Sequence, residues 1–143
     1  MTVWNGMVFM EYLQGNLLNL KQKDKRLYEK IYEIVSNTKR VNEIKNKFNI
    51  IETRDNEKTI EILQKTNRSV RLNSVYNSKE EAKKFVKKYE DIDRIILLIM
   101  YGNGNCIFYN EFQNKLDNVS TVFIYEPDIE LFVFCLMNFN MSN

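Results

Sequence analysis

The residues best suited to chemistry lie between Arg94 and Asp128, in the stretches R-I-I-L-L-I-M-Y-G-N-G-N-C and T-V-F-I-Y-E-P-D. Gly102 and Gly104 follow an unbroken apolar run, and Glu126 closes a second one. In nucleotide-binding α/β sheets the first glycine of such a loop makes the turn. The second lets a phosphate or ribose come near the backbone, and a third permits tight helix–strand contact. An acid at the end of the second strand accepts hydrogen bonds from ribose hydroxyls. Gly102, Gly104 and Glu126 are therefore the candidate ligand-binding residues, for a nucleotide-like molecule. Cys106 stands where a G-x-G-x-G loop has its third glycine, and Ile107 where G-x-G-x-x-G has it. The structural alternative is that the glycines only turn the chain and that Glu126 favours the start of the next helix by about 0.3–1 kcal/mol. Tyr101 and Tyr125 flank the same edge, either lining a pocket there or serving as core-rim residues.

What is missing narrows the chemistry further. The chain has no histidine, so Ser-His-Asp and Cys-His catalysis and histidine metal sites are excluded within it. Proton transfer would fall to carboxylates, Lys or Tyr. Cys106 and Cys135 show neither metal nor redox spacing, and Cys135 sits in an apolar run where a thiol behaves as a small hydrophobe. No catalytic residue and no metal ligand is assigned, and the residues specify no cofactor. The 21 basic and 19 acidic residues leave a net charge of +2. So even a balance argues against nucleic acid as the main partner. The denser basic runs, Lys21–Arg26 and Lys83–Lys88, alternate with acidic or apolar residues in helical register, as solvated helix faces do. No apolar run reaches the roughly 18 residues of a membrane span. The first residues lack the basic and small-residue features of a signal peptide. A reduced, cytoplasmic setting is expected.

The elements that would position the loop follow from periodicity. From Phe9 to Gln22 the apolar residues Phe9, Tyr12, Leu13, Leu17 and Leu20 keep helical spacing, weakened by Gly15. Asp24 caps a second helix with Leu27, Tyr28, Ile31, Ile34 and Val35 as its stripe, ending at Ser36-Asn37-Thr38. Between Lys47 and Ser74 the period shortens to two. Three short antiparallel strands are expected, with turns at Arg54–Glu57 and Lys65–Asn67 and one buried face. Ser78-Lys79-Glu80-Glu81 reads as a capping box opening a helix to about Tyr89, with Glu90–Asp93 ending it. The central strand, Arg94–Tyr101, is apolar on both faces and is expected to be covered by helices on each side. A helix over about 105–116 presents Ile107, Phe108, Phe112 and Leu116 inward, and Thr121–Tyr125 forms the second parallel strand. Pro127 suits the first turn of a last helix running to about Asn140.

The expected fold is α/β. An N-terminal helical segment (1–46) and a short antiparallel β-meander (47–77) lead into a partial Rossmann-like βαβα unit (78–143), together one compact domain. Two parallel strands are few for a doubly wound sheet. The tail from Phe123 to Phe139 is strongly apolar, either an ordinary buried helix or a surface for polypeptide outside this chain; the second is preferred. The expected partners are a downstream domain or another protein docking on the 121–140 region, or a second copy of the chain. Neither nucleic acid nor a membrane is expected.

Three stretches together resemble a known family: S-V-Y-N-S-K-E-E-A-K-K-F-V, I-M-Y-G-N-G-N and I-Y-E-P-D-I-E-L-F. The chain is similar to the N-terminal domain of the motility accessory factor (Maf) flagellin glycosyltransferases and their MptE-like relatives. In that family a Y-[ND]-P/S segment leads into an E-A-x-x-F helix, followed by a Y-G-x-G-x-G loop and an I-E-P-x-x-x-x-F junction. The matching residues are Tyr76, Asn77, Glu81, Ala82 and Phe85, then Tyr101, Gly102 and Gly104, then Glu126, Pro127 and Phe132; Cys106 replaces the third loop glycine. The resemblance implies an accessory domain, non-catalytic alone. In the family, sugar transfer from a nucleotide-activated nonulosonic acid belongs to a central domain that follows this region. Two other readings remain open: a reduced methyltransferase-like domain binding a nucleotide or S-adenosylmethionine, and a plain protein-interaction module.

Overall fold

The computed structural model describes residues 2–64, 66, 68–89, 94, 96–116 and 121–141, with side chains from Tyr12 onward. The turn expected at Lys65–Asn67, the helix end expected at Glu90–Asp93 and the first residues of the expected central strand fall wholly or partly outside these residues. The architecture is mixed α/β, in the expected order: N-terminal helices, a three-stranded antiparallel sheet, a parallel βαβ unit and a C-terminal helix. The chain divides into two compact units. One comprises residues 1–48 and 129–143, the other 49–128.

The first unit is helical. Helix α1 (Thr2–Lys23) packs on α2 (Lys25–Val35), and α2 on α3 (Thr38–Lys45). Asp24 caps α2 as its sequence predicts, accepting from the Leu27 N–H at 2.9 Å. Helix α3 is an addition to the expected pair. Asn37 does not end the helical region; its side chain accepts from the Arg40 N–H at 3.1 Å and opens a further helix that buries Ile44. The last helix, α6 (Ile129–Asn138), packs against α1 and α3 within this unit. Leu131 and residues 133–137 are buried, with Phe134 against Phe48 at a centroid distance of 5.2 Å. Pro127 lies before α6, not in its first turn, which carries Glu130 instead. The buried Asn16 ties the ends of the unit together. Its amide donates to the carbonyls of Leu136 (2.8 Å) and Phe139 (2.7 Å), and its oxygen accepts from the Met141 N–H (2.9 Å). A helix end leaves carbonyls without intrahelical donors, and Asn16 supplies one from far away in sequence.

The second unit holds both sheets. Strands β1 (Phe48–Glu52), β2 (Lys58–Leu63) and β3 (Ser69–Arg71) form a sheet in that order, with β2 and β3 antiparallel. Helix α4 (Ser78–Val86) follows, but its cap differs from the expected capping box. Asn77, not Ser78, accepts from the Glu80 N–H at 2.9 Å, and Glu81 reaches back to the Ser74 N–H at 2.7 Å. Asn is as good a cap as Ser, and Asp55 from the β1–β2 turn adds a second acceptor, taking the Lys79 N–H at 3.3 Å. The Thr53 hydroxyl first, and then that N–H, hold the Asp55 carboxyl below its ordinary 3.8. Ser78 is instead buried.

Strand β4 (Leu97–Tyr101) pairs in parallel with β5 (Thr121–Tyr125), in register from Leu97↔Thr121 to Tyr101↔Tyr125. Helix α5 (Ile107–Gln113) connects them. Leu98 and Met100 pack against a core made by Val86 of α4 and Phe112 of α5. Contrary to expectation, among the described residues of this unit α4 and α5 pack on one face of β4 and the other face is exposed. The alternate residues Leu97, Ile99 and Tyr101 are exposed. An apolar run predicts burial on both faces but cannot say which element supplies the second cover.

Candidate functional site

The loop between β4 and α5 is built from three left-handed residues: Gly102 (φ +78°), Gly104 (φ +49°) and Cys106 (φ +65°). Gly102 extends the parallel pairing, its N–H donating to the Tyr125 carbonyl at 2.7 Å. The Cys106 N–H donates to the Asn103 carbonyl at 2.9 Å and closes the turn, after which the Cys106 carbonyl starts α5 by accepting from Asn110. Only glycine adopts positive φ without steric cost, so Cys106 carries a penalty of about 1–2 kcal/mol at the position where a third glycine would sit.

The two glycines do different jobs. A Cβ on Gly104 would lie 3.0 Å from Cδ1 of Leu72, so its close approach is to the chain's own side chain beyond β3. A Cβ on Gly102 would meet nothing within 4 Å. Asn105 also anchors the loop to the meander, its amide donating to the Lys58 carbonyl at 2.8 Å.

Glu126 decides what the loop can do. One carboxylate oxygen, Oε2, accepts from the Asn103 N–H (2.9 Å) and the Gly104 N–H (3.2 Å); the other, Oε1, accepts from the Asp128 N–H (3.2 Å). Successive backbone N–H groups in a turn of this kind form an anion-binding concavity. Here the concavity holds the chain's own carboxylate. The structure thus brings Gly102, Gly104 and Glu126 together, and it joins them to one another. The N–H groups that would meet a phosphate, and the acid that would meet a ribose, satisfy each other.

Asn103 and Cys106 complete the arrangement. The Asn103 amide donates to the Cys106 Sγ at 3.0 Å, while its Oδ1 is enclosed without a hydrogen-bond partner among the described residues. Burial pushes the Cys106 thiol up to about 11, with the Asn103 contact acting in the opposite direction. A thiol so held is protonated at neutral pH and is a poor nucleophile. Sequence reasoning placed Cys106 in the glycine pattern but gave no role to Asn103; the G-N-G-N spacing, with a short amide between two turn residues, was the available signal. Tyr101 and Tyr125 lie beside each other with ring centroids 5.4 Å apart, on the exposed face of the strand pair. Among the described residues no group of three or more His, Cys, Asp or Glu could hold a metal ion, and no helix is long and apolar enough to cross a membrane. Neither a family model, nor a curated protein, nor a solved structure matches this chain.

Proposed function

We propose that this chain is a non-catalytic accessory domain of the kind found at the N-terminus of Maf-like flagellin glycosyltransferases, acting in the cytoplasm to support substrate capture or assembly. The single observation that carries the non-catalytic part is the Glu126 carboxylate seated on the Asn103 and Gly104 N–H groups. A loop closed by its own acid serves as a rigid corner joining β4, α5 and β5, which suits a domain whose role is architecture. The protonated Cys106 thiol supports the same reading, because it removes the nearest potential nucleophile. The Maf-like assignment rests on the Y-G-x-G loop, the E-A-x-x-F helix and the E-P corner, all of which fall within one unit of the fold.

Three measurements test the two parts separately. Purified chain incubated with flagellin and a nucleotide-activated nonulosonic acid should leave the flagellin intact mass unchanged. A panel of nucleotides and S-adenosylmethionine should leave its melting temperature unchanged; a ligand at 100 times its dissociation constant adds about 2.7 kcal/mol, a readily seen shift. Such a shift would favour the ligand-binding alternative. Deleting the segment that encodes the chain should strip glycan mass from flagellin in the source cell, and unaltered flagellin would remove the Maf-like assignment.

A further inference from the structure

The outer face of the β4–β5 pair is exposed, and its chemistry points to one occupant. In-register parallel pairing puts Leu97, Ile99 and Tyr101 on the same side as Thr121, Phe123 and Tyr125. Five of the six are strongly exposed large hydrophobics: Leu97 51%, Ile99 69%, Tyr101 76%, Phe123 61% and Tyr125 58%. A fully buried aromatic contributes about 150–250 Å², so this face offers about 600 Å² of contiguous apolar surface. That is the upper end of the largest patch found on ordinary monomers. We infer that this face is the interface of a homodimer, in which two copies stack their β4–β5 pairs face to face, which goes beyond the accessory role argued above.

Three properties favour a second copy over a different partner. First, two such faces bury about 1,200 Å² together, the lower limit of a stable specific interface. Second, none of the six side chains is charged, so self-stacking meets no like-charge repulsion and calls for no complementary charge. Third, the face tapers. Its carboxyl end carries the two tyrosines, and its amino end carries Leu97 and Thr121. A two-fold axis lying in the interface and running across the strands lays the large end of one copy on the small end of the other. Ile99 then meets Ile99 of the second copy and Phe123 meets Phe123. The gap between the sheets stays even at the roughly 10 Å that stacked sheets adopt. Closed two-fold pairing of this kind also uses one patch twice and leaves none over.

Sedimentation equilibrium of the full chain between about 1 and 200 μM tests this directly. The wild type should pass from the 17.2 kDa monomer to twice that mass, with a dissociation constant on the order of 10 μM, as a small interface implies. Ile99→Glu, at an exposed position that leaves the fold intact by circular dichroism, should weaken the dimer by at least about 100-fold through like charges facing across the axis. Ile99→Lys should do the same. Mixing the two variants should restore a dimer, because each glutamate then meets a lysine. A wild type that stays monomeric at 200 μM overturns the inference. So does a dimer that survives Ile99→Glu, or a mixture of the two variants that stays monomeric.

Discussion

Removing the Glu126 carboxylate is the sharpest test of how the loop is held. Glu126→Ala deletes three charge-assisted bonds: Asn103 N–H at 2.9 Å and Gly104 N–H at 3.2 Å to one oxygen, and Asp128 N–H at 3.2 Å to the other. A bond to a charged group contributes about 1.5–3 kcal/mol when well formed. Two of these are long, two share one oxygen, and the site is only partly buried, so water recovers much of the loss. The net expectation is about 2 kcal/mol of destabilisation. Glu126→Gln keeps an acceptor oxygen at the same reach but gives up the charge, for about half that cost. Glu126→Asp falls one methylene short and should resemble the alanine variant. In urea, with a slope of about 1–1.5 kcal/mol per molar for a unit of this size, the alanine midpoint should drop by roughly 1.3–2 M. Tyrosine near-ultraviolet circular dichroism is the suitable probe, because Tyr101 and Tyr125 sit on the strands that the corner joins. The order wild type, Gln, then Ala with Asp is the signature. A midpoint within about 0.2 M of wild type for Glu126→Ala would refute the claim that this acid holds the loop.

The other tests probe different parts of the molecule. Gly104→Ala should destabilise by about 1–2 kcal/mol, since its φ of +49° is strained for alanine and its methyl meets Leu72 at 3.0 Å; Gly15→Ala, in an exposed turn of α1 with nothing within 4 Å, should stabilise by about 0.5–1 kcal/mol. Urea midpoints of the pair should move in opposite directions. Asn16→Leu should cost about 2–3 kcal/mol by stranding the Leu136 and Phe139 carbonyls, and Asn16→Asp, which cannot donate, should do no better. Cys106 predicts a pH dependence. Its thiol is raised from 9.0 to about 11 in the folded chain, so the unfolded chain loses the proton first and stability falls as pH rises. That contribution, on the order of 2 kcal/mol, is fully present below about pH 9 and is lost by about pH 11. Relative to wild type, Cys106→Ala should flatten the urea midpoint across that window.

The sequence carried the frame of the fold because its signals there are local. An apolar run ending in glycine, a short helix and a second run ending in an acid specify a parallel βαβ unit with little help from elsewhere, and β4, α5 and β5 follow that order. Asp24 was legible as a cap for the same reason, since its partner is only three residues away. What stayed hidden depends on distant residues. Helix α3 is short and polar, and its identity rests on Asn37 serving as a cap as well as a stop. The start of α4 is fixed partly by Asp55, which is far away in the chain. Most of all, Gly102, Gly104 and Glu126 were legible as a set but not in their relation. Spacing brings a carboxylate to the loop; only the fold shows that it points into the N–H groups and not away from them.

The first unit is assembled from two pieces of chain that the whole of residues 49–128 separates. At about 5–20 residues per second of synthesis, α1 to α3 leave the ribosome several seconds before α6 can reach them. For that interval α1 and α3 have no α6 to pack against, while the interrupting segment is already free to collapse on itself. The unit whose synthesis begins first is therefore the last to close. A nascent chain stalled before Ile129 would present its opening helices to chaperones and proteases, and the contact that Asn16 makes with the far end of the chain would be among the last to form.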